Sequence, residues 1–486
     1  MPDPPTDLVK YASMKELCRI GNQFFAIELP FLREDKPLSN NPPLGFALSA
    51  LTIPYHNGER NLSEQERKNI ACELAEKALK ELRLETLAQP SKDTTQALIM
   101  LALRAFLCNE QRESIALLER AGTTIRLLDP QTSDELYVRT LWSYFIIRMY
   151  LVAGGCNFRD ETMENIQMSL QLPRSSAFFQ QNYQSVTRRL RETSAEFRAR
   201  YEPTELEYAD EGFGLTEPLV PFIEALGIYA DITKHELLVP QQYDMILPLM
   251  EDLSAAESDL AKLHAMLEEL ISKLPDDLKM DESNLKKANR NKLSTPYSQL
   301  HSAIALSNAA WFRLFMSTLP LYTPLNIAQK FLSDTITYFR FLRSAEDCEH
   351  LFKGPLYTLS CFTTLQSIIW WAVFYTDIVT DGDSLKPLLV ESLDLGFAIL
   401  YGFQGPYRIA QAYCRRLTIM IHVFTRFFAQ VKSITDPLTK EMVREMLEIC
   451  LEDEESWGPD EDDGCSPDAS RFIHEVEDMI AARTCR

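Results

Sequence analysis

Apolar side chains recur every three to four positions along most of this chain. In the segment 61–84 they are spaced four residues apart, at Ile70, Leu74, Ala78 and Leu82. This spacing places them on one face of a helix and leaves the other faces polar. Ser63 stands three residues before Glu66, an arrangement typical of a capping box at the first turn of a helix. The pattern therefore predicts an amphipathic helix that begins near Ser63.

The same periodicity predicts helices along the rest of the chain. Their expected bounds are 94–107, 112–128, 134–153, 217–231, 253–274, 299–316, 324–345, 355–376, 385–401, 406–432 and 440–452. No alternation of apolar and polar residues extends over the length of a strand. The sequence therefore predicts an all-α fold, a large multi-helix domain built from antiparallel packed helices.

One predicted helix lies in a segment without charged residues, 354–376, and is long enough to raise the question of a membrane span. Serine, threonine and glutamine residues interrupt the segment, whereas a span of roughly 20 residues should be predominantly apolar. We therefore expect a central core helix that is surrounded by other helices, and no contact with a membrane.

Two parts of the chain differ in composition. Residues 1–450 are expected to form the helical domain, with a polar connecting region at about 174–214. Residues 451–486, the acidic tail, contain twelve acidic and three basic residues, so they carry nine of the 21 excess negative charges of the chain. Because such a composition resists collapse, it keeps Trp457 accessible.

The acidic tail has two interpretations. Its last part, 470–482, has the spacing of an amphipathic helix that carries Phe472 and Ile473. Together with Trp457, these side chains resemble an activation segment that inserts into a groove of a partner protein. Alternatively, the tail is solvated and its terminal helix docks on the helical domain. Both interpretations stay open on the sequence alone.

The charge balance and the motif search narrow the classes of function. A net charge of −21 argues against nucleic acid as the direct partner, because phosphate binding needs clustered lysine and arginine. The most compact basic run, 286–292, is either a nuclear-import signal or a solvated loop between helices, and we predict the loop. No dinucleotide-binding or P-loop pattern occurs, and glycine makes up only 16 of the 486 residues.

Cysteine and histidine residues give no sign of a metal site. The ten cysteines are scattered without a C-x-x-C pair, and the seven histidines are dispersed as well. Since no basic and apolar leader precedes the first helix, we expect an intracellular protein with reduced thiols. No nucleophile elbow or catalytic set can be assembled either. We predict a protein that is not an enzyme and has no cofactor.

Several short motifs occur in the order known from one family. The runs 93–103 (DTTQALIMLAL), 139–147 (RTLWSYFII) and 166–173 (IQMSLQLP) are followed by a leucine-rich helix at 260–278. This order resembles the middle homology region of the fungal-specific Zn2Cys6 transcription factors over residues 15 to 430, approximately. The positions that carry the resemblance are Gln96, Arg139, Trp142 and Pro173.

The resemblance implies a helical regulatory module. We expect Gln96 to pack between paired helices, and Arg139 and Trp142, one turn apart, to form a stacked or hydrogen-bonded pair. The six-cysteine zinc cluster of the family is absent from this chain, so DNA binding does not carry over.

On this basis the sequence predicts a nuclear, transcription regulator-like protein that acts through protein–protein contacts. Its partners would be the transcription machinery or a DNA-binding factor, and a homodimer and a small-molecule effector stay open. The alternative is a helical scaffold or small-molecule-sensing module outside transcription. A third hypothesis is that a zinc cluster is encoded upstream of Met1.

Overall fold

The computed structural model describes about two thirds of the predicted helical domain in detail. The described residues are 14–32, 41–55, 63–85, 90–128, 134–155, 171–174, 186–187, 189–190, 192, 194–200, 209–210, 218–243, 250–291, 294–318, 325–346, 355–374, 385–402 and 409–417. The predicted helix 440–452 lies outside them, as does the acidic tail with Trp457, Phe472 and Ile473.

The fold is all-α, as predicted. The N-terminal helices are α1 (Met14–Phe25), α2 (Pro42–Thr52), α3 (Glu64–Glu85), α4 (Lys92–Leu107), α5 (Gln111–Leu127) and α6 (Glu135–Ala153). The helices that follow are α7 (Ser194–Arg200), α8 (Leu219–Tyr243), α9 (Met250–Lys273), α10 (Glu282–Arg290), α11 (Ser294–Thr318), α12 (Leu325–Glu346), α13 (Pro355–Phe374), α14 (Leu385–Gly402) and α15 (409–417). Short 3₁₀ turns stand at Ile53–Tyr55 and Asp276–Leu278.

Local hydrogen bonds explain where several helices begin. The Ser63 hydroxyl accepts from the Glu66 amide at 3.2 Å, and the Glu66 carboxylate accepts from the Ser63 amide at 2.7 Å. This is the reciprocal pairing of a capping box, so the predicted start of α3 is confirmed. Ser91 and Asp134 cap α4 and α6 in a simpler way, since each side chain accepts one amide of the first turn.

Several elements differ from the sequence-based expectations. Helix α1 was not predicted, although its apolar residues have a helical period. Helix α2 was not predicted either, because ten of its eleven residues are buried and a helix that is buried on all sides shows no period. Helix α10 replaces the loop expected at 286–292, since Asp281 caps it and Leu285 is its buried anchor. Strands β1 (Val186–Thr187) and β2 (Ala209–Asp210) pair in parallel within the polar connecting region, and two residues are too few to show alternation.

The chain divides into two compact units. Unit 1 comprises Met1–Gly227, Glu269–Leu300 and Glu349–Pro355. Helix α4 lies at its centre and packs against α2, α3, α5 and α6. Every residue of α4 from Thr94 to Leu107 is buried. Asn109, with φ of 64°, lets the chain turn tightly from α4 into α5.

Unit 2 comprises Ile228–Glu268, His301–Cys348 and Leu356–Arg486. Its helix α13 is buried along Leu356 to Leu365, which confirms the core helix predicted there. The Tyr338 hydroxyl of α12 donates to Ser302 of α11 at 2.9 Å and shares a hydrogen bond with Ser360 of α13 at 2.6 Å. Among the described helices, none is long and apolar enough to cross a membrane.

Gly396 allows three helices of unit 2 to approach closely. A Cβ atom at this position of α14 would lie 2.6 Å from Leu365 Cδ2 of α13 and 2.7 Å from Phe339 Cε2 of α12. We expect Gly396→Val to lower the free energy of unfolding by about 1–3 kcal/mol, because larger side chains force a packed core apart. Urea unfolding followed by circular dichroism measures the change. Gly402→Val at the exposed end of α14 is the matched control, and equal midpoints for both variants would contradict the prediction.

Candidate functional site

The polar positions that the sequence singles out converge on helix α6 of unit 1. Every residue of α6 from Tyr137 to Leu151 is buried. Polar side chains on this helix therefore need hydrogen-bond partners inside the protein, since a buried polar group without one is costly. Two clusters of hydrogen-bonded polar groups supply such partners, one near the start of α6 and one near its end.

Arg139 is the centre of the first cluster, and only 3% of its side chain is exposed. Its guanidinium donates to Glu135 Oε1 at 2.9 Å, to the Pro30 carbonyl at 2.9 Å and to the Arg174 carbonyl at 2.6 Å. Glu135 Oε1 also accepts from the Arg174 amide at 2.9 Å. Burial raises the pKa of Glu135, and the charge of Arg139 opposes that shift. The planar guanidinium thus joins α6 to two segments distant in sequence.

Trp142 and Pro173 belong to the same assembly. The Trp142 indole donates to the Gln171 carbonyl at 2.9 Å, and the Thr187 hydroxyl donates to the Leu172 carbonyl at 2.6 Å. Pro173, which has no amide hydrogen to satisfy, stands buried between these contacts and those of Arg174. The extended segment 171–174, which we call the anchored segment, is therefore held by its backbone.

Gln96 joins α4 to α6. Its side-chain amide donates to the Thr140 hydroxyl at 2.9 Å, and Thr140 in turn donates to the Leu136 carbonyl at 2.7 Å. Arg139 and Trp142 lie on α6. The structure thus brings Gln96 of α4 and Pro173 of the anchored segment to the same helix. The hydrogen bonds described for Arg139 and Trp142 run to the anchored segment and to other neighbours, so the expected stacked or hydrogen-bonded pair between these two side chains stays a prediction.

Glu28 is the centre of the second cluster, and sequence reasoning missed it. It lies in the turn after α1 and is fully buried. Its Oε1 atom accepts from the Tyr150 hydroxyl of α6 at 3.1 Å and from the Gln299 side-chain amide of α11 at 2.6 Å. Burial raises the pKa of Glu28 to about 7 and raises that of Tyr150 as well. The sequence feature that could have identified this residue is its position as the single acidic residue within the apolar run 24–32.

Across the described ranges, no group of three or more His, Cys, Asp or Glu side chains is arranged to hold a metal ion. A shallow groove in unit 1 lies between the start of α8 and the end of α9. It has apolar walls with Glu224 and Lys273 among its lining residues, and its cavity volume of about 10 Å³ is roughly the room that one water molecule needs.

No model of a protein family matches the chain, and no curated protein matches it. The likeness to the regulatory region of fungal transcription factors therefore stays a prediction from the motifs, to be judged by experiment.

Proposed function

We propose that this chain is a transcription regulator-like protein that acts through protein–protein contacts and has no DNA-binding zinc cluster of its own. The observation that supports this proposal is the meeting of Gln96, Arg139, Trp142 and Pro173 around α6. These residues lie up to 77 positions apart in the sequence, yet hydrogen bonds join them through one helix and one extended segment.

The role of these four positions is architectural. Gln96, Arg139 and Trp142 are at most 2% exposed, and the hydrogen bonds described above run to other groups of the protein. Residues of this kind hold helices together and leave the chemistry of binding to the surface. This agrees with the regulatory scaffold that the resemblance implies, in which the helical domain supports contacts made by other surfaces.

The charge of the chain indicates the kind of partner. With 70 acidic against 49 basic residues, the surface favours a basic protein over a nucleic acid. We infer that the acidic tail supplies the contact, with Trp457, Phe472 and Ile473 entering an apolar groove of the transcription machinery or of a DNA-binding factor. The site of action would be the nucleus.

A tethering experiment tests this function. The full chain is fused to a heterologous DNA-binding domain, and transcription of a reporter gene is measured. We expect activation several-fold above background, and a return to background when Trp457, Phe472 and Ile473 are all replaced by alanine. Removal of the three apolar side chains leaves the acidic charge unchanged, so the comparison isolates their contribution.

The control variant replaces Ser456, Ser466 and Ser470 by alanine, and it should keep full activation at equal protein level. Reporter activity at background for the unmodified fusion, together with exclusion of the full chain from the nucleus, would overturn the proposal. That result would favour the helical scaffold or small-molecule-sensing module, for which a metabolite panel in a thermal-shift assay is the next measurement.

A further inference from the structure

The turn after α1, residues 26–32, is buried from Ile27 to Leu32 although it has no regular secondary structure. Ile27, Leu29, Phe31 and Leu32 are at most 4% exposed. Within the turn, the Leu29 amide donates to the Phe25 carbonyl at 2.8 Å, and the Leu32 amide donates to the Leu29 carbonyl at 2.9 Å. We call this segment the N-terminal turn. Its position depends on the contacts that it makes with helices of unit 1.

Glu28 makes the polar contact of the N-terminal turn with two helices. Both donors, the Tyr150 hydroxyl and the Gln299 amide, bind the same carboxyl oxygen, Oε1. Glu28 Oε2 and Gln299 Oε1 are buried and have no hydrogen-bond partner within the described structure. Oε2 of Glu28 is an acceptor and therefore lacks a donor, and a charged carboxylate with one bare oxygen is costly to bury.

Among the residues that the structure describes, no positive charge compensates the carboxylate of Glu28. Within the described structure, three groups form hydrogen bonds that affect the pKa of Glu28: its own backbone, Tyr150 and Gln299. Of these, Tyr150 is titratable. Glu28 is the only charged residue in the sequence of the N-terminal turn. On α6, Arg148 precedes Tyr150 by two positions, or roughly 200° around the helix axis. On α11, His301 lies against the Phe341 ring, with centroids 5.3 Å apart.

We propose that Glu28 is a proton-operated latch, in which the protonated carboxyl holds the N-terminal turn against α6 and α11 and loss of the proton to solvent releases the turn. The proton supplies the donor that the site lacks. Since burial raises the pKa of Glu28 to about 7, the latch works in the neutral range. Release of the turn also removes the Pro30 carbonyl from Arg139. Ionisation of Glu28 therefore also breaks a hydrogen bond in the cluster around Arg139.

Hydrogen–deuterium exchange of the full chain at pH 6 and pH 8, corrected for intrinsic exchange rates, tests the latch. We expect exchange in peptides that cover 26–32 to rise about tenfold between these pH values, because ionisation of a group with a pKa near 7 shifts the opening equilibrium by that factor. Glu28→Gln keeps the shape of the side chain but cannot ionise, so its exchange should not change with pH. Glu73→Gln, at an exposed position of α3, should behave like the unmodified chain.

A second variant keeps the test decisive if Glu28→Gln does not fold. In the unmodified chain, exchange should rise with pH and then level off near the pKa of Glu28. Tyr150→Phe removes one donor to the carboxylate, which disfavours the charged form and raises the pH at which exchange levels off. Corrected exchange that is independent of pH in the unmodified chain would overturn the proposal. So would the same tenfold rise in Glu28→Gln, or a levelling-off in Tyr150→Phe at the pH of the unmodified chain.

Discussion

Replacement of Arg139 by methionine is expected to lower the free energy of unfolding by about 3–5 kcal/mol, the range for breaking a buried ion pair by removing one partner. Methionine retains much of the apolar volume but donates no hydrogen bond. The Pro30 and Arg174 carbonyls then lose their 2.9 and 2.6 Å contacts. Glu135, whose side chain is 10% exposed, keeps the Arg174 amide and the Arg174 guanidinium, whose Nε atom lies 3.6 Å from Oε2.

Urea unfolding followed by circular dichroism measures this loss, and Arg126→Met is the matched control. Arg126 is exposed on α5 and donates to Thr123 at 3.1 Å. Changes at such surface positions are usually within about 0.5 kcal/mol. If Arg139→Met and Arg126→Met shift the unfolding midpoint equally, the first polar cluster does not stabilise unit 1 in the way described.

The second large effect concerns pH. The unmodified chain should lose about 3 kcal/mol more of its unfolding free energy between pH 4.5 and pH 7 than Glu28→Gln does. In the folded chain the pKa of Glu28 is about 7, against an ordinary value of 4.5, so the folded state binds the proton more tightly than the unfolded state. This stabilisation is fully present below pH 4.5 and is lost as the pH rises through 7.

Unfolding curves for the two proteins at half-unit intervals of pH give the difference directly. Every other ionisable group is common to both proteins, so its contribution cancels. Glu73→Gln removes a carboxyl from an exposed position and should follow the unmodified chain. Curves for the unmodified chain and Glu28→Gln that run parallel from pH 4.5 to 7 would show that the Glu28 carboxyl does not take up a proton on folding.

The sequence predicts helices well where one face is apolar and the other polar. Helix α3 is the clearest case, since its period and its capping box agree with the structure. The sequence-based prediction missed α1 despite its helical period, and it fails where the period vanishes. Helix α2 is buried nearly all round, and α10 buries only Asn284 and Leu285, so neither leaves the alternation of faces on which the inference depends.

The polar clusters of α6 were predictable in part. The motifs directed attention to Arg139 and Trp142, but their partners are backbone carbonyls, and every residue carries one of these regardless of its identity. The role of Glu28 was harder to predict from the sequence, because its partner Gln299 lies 271 positions further along the chain. A pairing over that distance depends on the tertiary fold, which local patterns do not contain.

The anchored segment has a consequence for how this sequence can diverge. Side chains of Trp142, Arg139 and Thr187 bind the carbonyls of Gln171, Arg174 and Leu172. These bonds survive when the side chains of the segment are exchanged, because they use only its main chain. Homologous chains can therefore vary at the half-buried Gln171 while keeping the same path, whereas the buried Leu172 stays apolar. We expect Arg139 and Trp142 of α6 to be the lasting signature of the contact.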